Sequence, residues 1–370
     1  METNPVRSLT DEQVLRALMQ HRRLTRAELA AEIGISKPTA GESVRRLTER
    51  GLVADTGERT PGGRGMGRVG QYYALADPGS ALVVGIAPTG VTAELIDAYG
   101  DTLARAARSI TRPAQPAAVV RALHLVAASF GTPPAVTPSP GTASPGPSVR
   151  RPRLAVISAA DPVDRESGRL VQLPDAPFLV GSLDPVAVLA SSVDGPIVVD
   201  NDVNWAARAE SASADFAYLF LGEGLGCAIV SDGSVQRGRF GLAGEIAHIL
   251  TTGVDGRATP FIEVFGRLGL RRPDSSAIDV PRLLAARADD RSMIGKAVAG
   301  VVAAIVALTD PAEIVLGGAW GPALLLEIVA AVAGTPRPVP LRATEVAEPS
   351  LTAARQDALD RLRALIADAR

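Results

Sequence analysis

Only one cysteine, Cys227, stands in the 370 residues. That excludes a disulfide framework within the chain and a thiolate-rich zinc site. Lysine is scarce too: Lys37 and Lys296 are the only lysines among 38 basic residues, and the surplus of alanine, glycine, proline and valine beside them points to genomic base composition rather than a physical demand. A long hydrophobic run is also missing. The most apolar stretch, Ala297 to Leu308, is about half of the roughly 20 residues a membrane span requires, and reads as a buried helix. Acids occur early at the N-terminus, with no apolar region of signal-peptide type, so a cytoplasmic protein is expected.

What is present is a globular composition, 46% hydrophobic and 21% charged, of a length that accommodates two or three domains. The net charge of −2 argues against a bulk polyanion binder, but the charge is uneven. Residues 1–75 carry 12 Lys/Arg against 9 Asp/Glu, and the remainder 26 against 31. A mildly basic head on an acidic body suits a nucleic-acid-binding head.

The head has the local signals of three short helices. Thr10 with Gln13 has the spacing of a capping box, with Leu9 before it and Val14, Leu15 and Leu18 as the apolar stripe. Thr25 with Glu28 repeats that spacing, with Leu29 and Ile33 facing inward. Gly34 then suits a left-handed helix end. Ser36 caps a third helix with Pro38 in its first turn, running through Val44, Leu47 and Arg50 to Gly51. This is helix-turn-helix spacing, although an unrelated helical bundle would share it. The third helix offers Ser36, Lys37, Thr39, Arg45 and Arg46 to phosphates and base edges. A strand begins at Gly51-Leu52-Val53. The loop Gly62 to Arg68, with Arg64 and Arg68, precedes a second strand at 71–75, as a wing entering a neighbouring groove would require. Double-stranded DNA is therefore the expected partner, engaged by a homodimer because paired half-sites add their binding energy.

From Ala81 the pattern changes to three successive strands over 81–110 and a helix from Pro116 to Phe130. An uncharged, proline-rich segment within 131–150 reads as a flexible insert. Strands then recur at 154–158, 196–200, 217–221, 226–231 and 313–316, alternating with helices through 205–211, 260–267, 291–308 and 351–368. The fold class is α/β. A winged helix over 1–77 and a second domain over 78–370 are expected.

Four segments carry a resemblance to a known family: GISKPTAGESVRRLTERGLV at 34–53, VVDNDVNWAARAE at 198–210, FLGEGLGCAIVSDGSVQRGRFGLAGEIAH at 220–248, and DPAEIVLGG at 310–318. The chain resembles the regulator branch of the ROK group (repressors, open reading frames and sugar kinases). The resemblance implies an actin-like ATPase fold of two RNase-H-like lobes around a cleft. It also implies a sugar site at Asn201, Asp202, Glu245, His248 and Glu263, with Asp202 at the position of the catalytic base. From the residues alone, Asp202 could equally cap the helix that follows it, and His248 could be a core histidine.

The resemblance fails where a kinase holds phosphate. An Asp-Gly-Gly-Thr-type loop is replaced by Gly85 to Gly90, where Pro88 removes a backbone donor. A Gly-Thr-Gly loop is replaced by Gly222-Glu223-Gly224, with a carboxylate that would repel ATP. The C-terminal Gly-Ala-Ala-like segment is Thr352-Ala353-Ala354-Arg355. The family's cysteine-bearing zinc loop after His248 has no cysteine here, so neither a metal nor another cofactor is expected. The expected function is a transcriptional regulator, most simply a repressor, that senses a sugar or sugar derivative without phosphorylating it. Two alternatives are an active sugar kinase with a DNA-binding arm and a ligand-independent DNA-binding dimer.

Overall fold

The computed structural model describes residues 5–60, 69–130, 151–173, 178–179, 181–210, 213–273 and 275–368. The proline-rich segment 131–150 and the wing tip with Arg64 and Arg68 lie outside the described residues.

The head consists of α1 (Pro5–His21), β1 (Arg23–Thr25), α2 (Arg26–Glu32), α3 (Lys37–Glu49), β2 (Val53–Arg59) and β3 (Gln71–Leu75). The strands form an antiparallel sheet in the order β1-β3-β2. Capping accounts for two of the three helix starts. Thr25 and Glu28 form a reciprocal capping box at α2, and Ser36 caps α3 by accepting the Thr39 N–H at 3.2 Å. Gly34, between them, turns at φ +69°. The expected cap at Thr10 is wrong: α1 starts at Pro5 and runs through Thr10, while Leu9 is exposed. Burial of Val14, Leu15 and Leu18 decides that helix.

The first lobe comprises β4 (Ala81–Ala87), β5 (Gly90–Ile96), β6 (Thr102–Ser109), α4 (Pro116–Ala128), β7 (Leu154–Ala159), α5 (Pro185–Leu189), β8 (Ile197–Asn201) and α6 (Asp202–Ala209). Its sheet runs β6-β5-β4-β7-β8, antiparallel at the β4–β6 side and parallel from β4 to β8. One face is covered by α4 and α5.

The second lobe contains β9 (Phe216–Leu221), β10 (Leu225–Ser231), β11 (Ser234–Val235), β12 (Leu250–Thr252), β13 (Ala258–Pro260), α7 (Phe261–Arg267), α8 (Val280–Leu284), α9 (Ala288–Thr309), β14 (Glu313–Gly317), α10 (Leu325–Val332) and β15 (Leu341–Ala343). Its main sheet runs β11-β10-β9-β14-β15. The helix expected from the apolar run is longer than that run: α9 has 22 residues and is long and apolar enough to cross a membrane. Its buried residues, from Ile294 to Val306, instead form the centre of this lobe's core with α7 and α10.

The last helix, α11 (Pro349–Ala367), returns to the first lobe and covers the open face of its sheet. Helix α6 lies against α11 and, through Val203, Ala206 and Ala207, against β9 and β10 of the second sheet. The head does not hang on a free tether. Val14, Leu18, Leu47 and Tyr73 share one continuous core with Val83, Val156, Trp205 and Leu362. Arg22 adds a two-pronged ion pair to Asp101 at 2.5 and 2.6 Å, with its guanidinium 5.5 Å from the Tyr99 ring centre.

Candidate functional site

Two regions hold most of the residues singled out from the sequence: the outer face of α3, and a cleft between the lobes.

Helix α3 buries Ala40, Ser43, Val44 and Leu47, which leaves Lys37, Thr39, Glu42, Arg45 and Glu49 on the solvent side. Ser36 and Thr39 are exposed, and their hydroxyls contact each other at 2.7 Å as part of the cap. Arg45 is exposed but engaged by Glu42 and Glu49. Arg46 is not a free outer-face group, contrary to expectation. It bonds Asp11 of α1 at 2.7 and 3.3 Å, because residue 46 lies beside the buried stripe rather than opposite it.

The cleft encloses about 1020 Å³, including its open mouth. Its polar residues come from the ends of separate elements. Asp161 follows β7, Asn201 and Asp202 lie at the β8–α6 junction, and Glu245 and His248 lie in the segment between β11 and β12. Phe178, Phe220 and Ile262 form apolar walls. Gly244 allows the Glu245 backbone to pass close to β10. At φ +96°, a Cβ there would stand 1.7 Å from the Cys227 carbonyl oxygen.

The structure separates the expected sugar-site residues. Asn201, not Asp202, caps α6: its Oδ1 accepts the Val203 N–H at 2.9 Å, and its Nδ2 donates to the carbonyls of Ala159 and Asp161 at 3.4 and 3.2 Å. Asp202 is the first helical residue, with its carboxyl at the cleft. His248 is exposed on the cleft side rather than packed in a core. Glu263 is outside the cleft lining, and Arg271 bonds its carboxylate at 2.8 Å.

Asp161 was not foreseen. It is 5% exposed and stands at the carboxyl end of a parallel strand, the position from which α/β sheets commonly present ligand groups. Burial pushes the Asp161 carboxyl up to about 6, opposed by the Leu179 N–H. Burial, then the neighbouring Asp161, pushes Asp202 up to about 7. Glu245 is raised to about 7 by its position in the cleft and by Asp161, although its outer side meets solvent. The three carboxyls thus share a partly desolvated space and resist simultaneous ionisation.

The segments compared with phosphate loops have other partners here. Arg112 of the first lobe and Arg272 of the second both bond Glu223, the latter at 2.8 Å. Residues Ala87 and Gly90 pair across a tight β4–β5 turn holding Pro88 and Thr89. The Thr352–Arg355 segment is inside α11, where Ala354 is fully buried and Arg355 bonds Glu94 at 3.2 Å. A second cavity is lined by Asp202, Tyr218, Gly318 and Thr344, so Asp202 faces both cavities.

The residues after His248 do not fit a structural zinc. They form the β12–β13 hairpin, anchored where the Thr251 hydroxyl donates to the Ala297 carbonyl of α9 at 2.5 Å. Among the described residues, no group of three or more His, Cys, Asp or Glu is placed to hold a metal ion.

Residues 141–261 match the ROK family, and residues 7–54 match the winged helix-turn-helix DNA-binding family. The chain is similar to the solved structure of a ROK family transcriptional regulator described as a homolog of the E. coli MLC protein. That pair has 18% identity and a TM-score of 0.61, covering 98% of this chain and 99% of that one. A ROK family glucokinase from Streptomyces griseus, solved with glucose and AMPPNP, has 21% identity and a TM-score of 0.54, covering 76% of this chain and 100% of that one. A ROK family protein from Streptococcus pneumoniae TIGR4, solved with sucrose, has 18% identity and a TM-score of 0.53, covering 76% and 98%. No curated protein sequence matches the chain. The architecture is therefore a winged helix-turn-helix followed by a two-lobed α/β domain with the fold of the ROK proteins it is similar to.

Proposed function

We propose that this chain, with its ROK family domain behind a DNA-binding winged helix, is a cytoplasmic transcriptional repressor whose cleft binds a sugar or sugar derivative without phosphorylating it. The observation that carries this reading is the shared core. The helix-turn-helix is packed through α1 onto α11, α11 packs onto α6, and α6 begins at the cleft residue Asp202. A polyol held by Asp161, Asp202, Glu245 and His248 touches both lobes and favours the conformation that brings these groups together. In a homodimer, moving α6 and α11 changes the spacing of two α3 helices, and half-site spacing on DNA is fixed by the helical repeat. Domains over 1–77 and 78–370 remain useful divisions for sequence and function, joined by this packing.

Loss of kinase activity is part of the proposal. The reading is supported by the departures from the family's phosphate loops, among them Glu223, which Arg112 and Arg272 bond, in place of a threonine. One observation favours a kinase instead. Asp202 lies between the two cavities, where a base could meet a sugar hydroxyl on one side and a nucleotide on the other. A coupled assay for ATP-dependent phosphorylation across a sugar panel decides between them. For the regulator, duplexes selected by the protein from a random pool are bound and then released by a subset of those sugars. Absence of selection from the pool overturns the DNA reading; selection without any sugar response leaves the ligand-independent dimer.

A further inference from the structure

The outer face of α3 presents acids as well as bases. Glu42, Arg45 and Glu49 are spaced at i, i+3 and i+7, on the side of the helix opposite the buried Ala40, Val44 and Leu47. Arg45 Nε and Nη2 donate to the two Glu42 oxygens at 3.1 and 2.6 Å, while Nη1 donates to Glu49 Oε1 at 2.5 Å. One face of the guanidinium fork and the remaining terminal nitrogen are thereby engaged. Arg46 is withdrawn to Asp11, with a further approach to Glu42 of 3.6 Å. All three outer side chains are at least half exposed, so nothing in the fold obliges two carboxylates to occupy the surface that faces a polyanion.

We infer that Glu42 and Glu49 are selectivity residues: they occupy Arg45 in the free protein, so that the arginine is released only where a base edge or a matched phosphate replaces both carboxylates. The inference rests on the proposed DNA-binding role of α3. Its physical basis is competition. A lone phosphate offers Arg45 about what a carboxylate already gives it, so random sequence gains little. A base edge that accepts two guanidinium N–H groups is within reach only in a matched sequence, where it adds to the phosphate contacts, so the exchange is completed there. Each helix-surface pair is individually weak, which keeps the clamp reversible.

The test compares wild type, Glu42→Gln/Glu49→Gln, Arg45→Ala and the triple variant, all as full-length chains. Fluorescence anisotropy reads binding to a random-sequence duplex and to a duplex selected by the wild type, over a range of salt. Circular dichroism melts establish that all four are folded. The glutamine variant is expected to bind random duplex about threefold or more tightly, with a salt slope steeper by about one phosphate contact. Its affinity for the selected duplex should rise less, so the selectivity ratio falls. In the Arg45→Ala background the glutamine substitutions should give a much smaller gain. An equal gain with and without Arg45 would show plain repulsion between carboxylate and DNA, and would overturn the inference, as would an unchanged selectivity ratio. If the wild type and all variants bind no duplex, the DNA-binding reading itself falls and this inference with it.

Discussion

Arg46 Nη2 sits 2.7 Å from Asp11 Oδ1, and this pair ties the recognition helix α3 to α1. Asp11 is 8% exposed and also accepts the Ser43 hydroxyl. Removing the guanidinium leaves the buried carboxylate with the Ser43 hydroxyl and, at 3.9 Å, the Arg50 guanidinium. Arg46→Ala is therefore expected to destabilise the protein by about 1–3 kcal/mol. It should lower the melting temperature while leaving the salt slope of DNA binding nearly unchanged. Arg45→Ala, by contrast, should leave the melting temperature in place and alter DNA binding. Thermal melts and salt-dependent titrations of both variants check the distinction.

The cleft carboxyls impose a pH dependence of definite sign. Asp161, Asp202 and Glu245 hold protons in the folded chain at pH values where the unfolded chain has released them. Their contribution is fully present below about pH 4 and is lost as pH rises to about 7, with no further change above that. At about 1.4 kcal/mol per pKa unit, the deeply buried Asp161 makes on the order of 3 kcal/mol of this difference. Glu245, open to solvent on one side, contributes less. Urea midpoints should fall between pH 5 and pH 7.5, and Asp161→Asn should flatten that fall. A midpoint that rises over the same interval contradicts the arrangement.

Asn201 and Asp202 are adjacent and should behave differently. Asn201→Ala removes the α6 cap and costs about 1 kcal/mol, with or without ligand. Asp202→Asn relieves crowding among carboxyls, so stability near pH 8 should hold or rise, and any sugar-induced thermal shift should disappear. Thermal-shift measurements across one sugar panel, made on both variants, check the pair.

The core shared by the head and the first lobe predicts cooperative unfolding. Leu362 of α11 is fully buried within it. Leu362→Ala should cost about 2–5 kcal/mol and destabilise the head and the first lobe together. Scanning calorimetry should show the winged helix melting with the first lobe. A separate low-temperature transition for the head would mean that it folds independently.

The hairpin that replaces a zinc loop predicts insensitivity to chelators. Purified protein should carry well under one zinc per chain, and EDTA should leave its melting temperature unchanged. Thr251→Val, which removes the bond to the Ala297 carbonyl, should be the destabilising change in this region. A stoichiometric metal by elemental analysis contradicts the prediction.

Local signals carried much of the reading. The Thr25–Glu28 box, the Gly34 turn and the Ser36 cap depend on side chains within three residues of the backbone groups they satisfy, so their spacing is written directly in the sequence. The central strands of both sheets and the helices α4, α6, α7, α9 and α11 followed from hydrophobic pattern, whereas the short edge strands β11 and β15 and the helix α10 did not. Thr10 failed because α1 starts at Pro5, a residue suited to a helix's first turn, so that Thr10 lies within the helix.

The sequence by itself determined the helix-turn-helix spacing, the α/β class and the absence of a cysteine-based zinc site, since each rests on short-range spacing or on residue type, while the two lobes were implied by the family resemblance. Only the tertiary structure decided which charges are available. It gave Arg46 to Asp11, Glu263 to Arg271 and Glu223 to two arginines, and it brought Asp161 into the cleft beside Asp202 and Glu245. These partners are separated by 8 to 111 residues along the chain, or lie on opposite lobes. A side chain's charge is legible from its identity, but its neutralisation and its pKa depend on what folding places within a few ångströms of it.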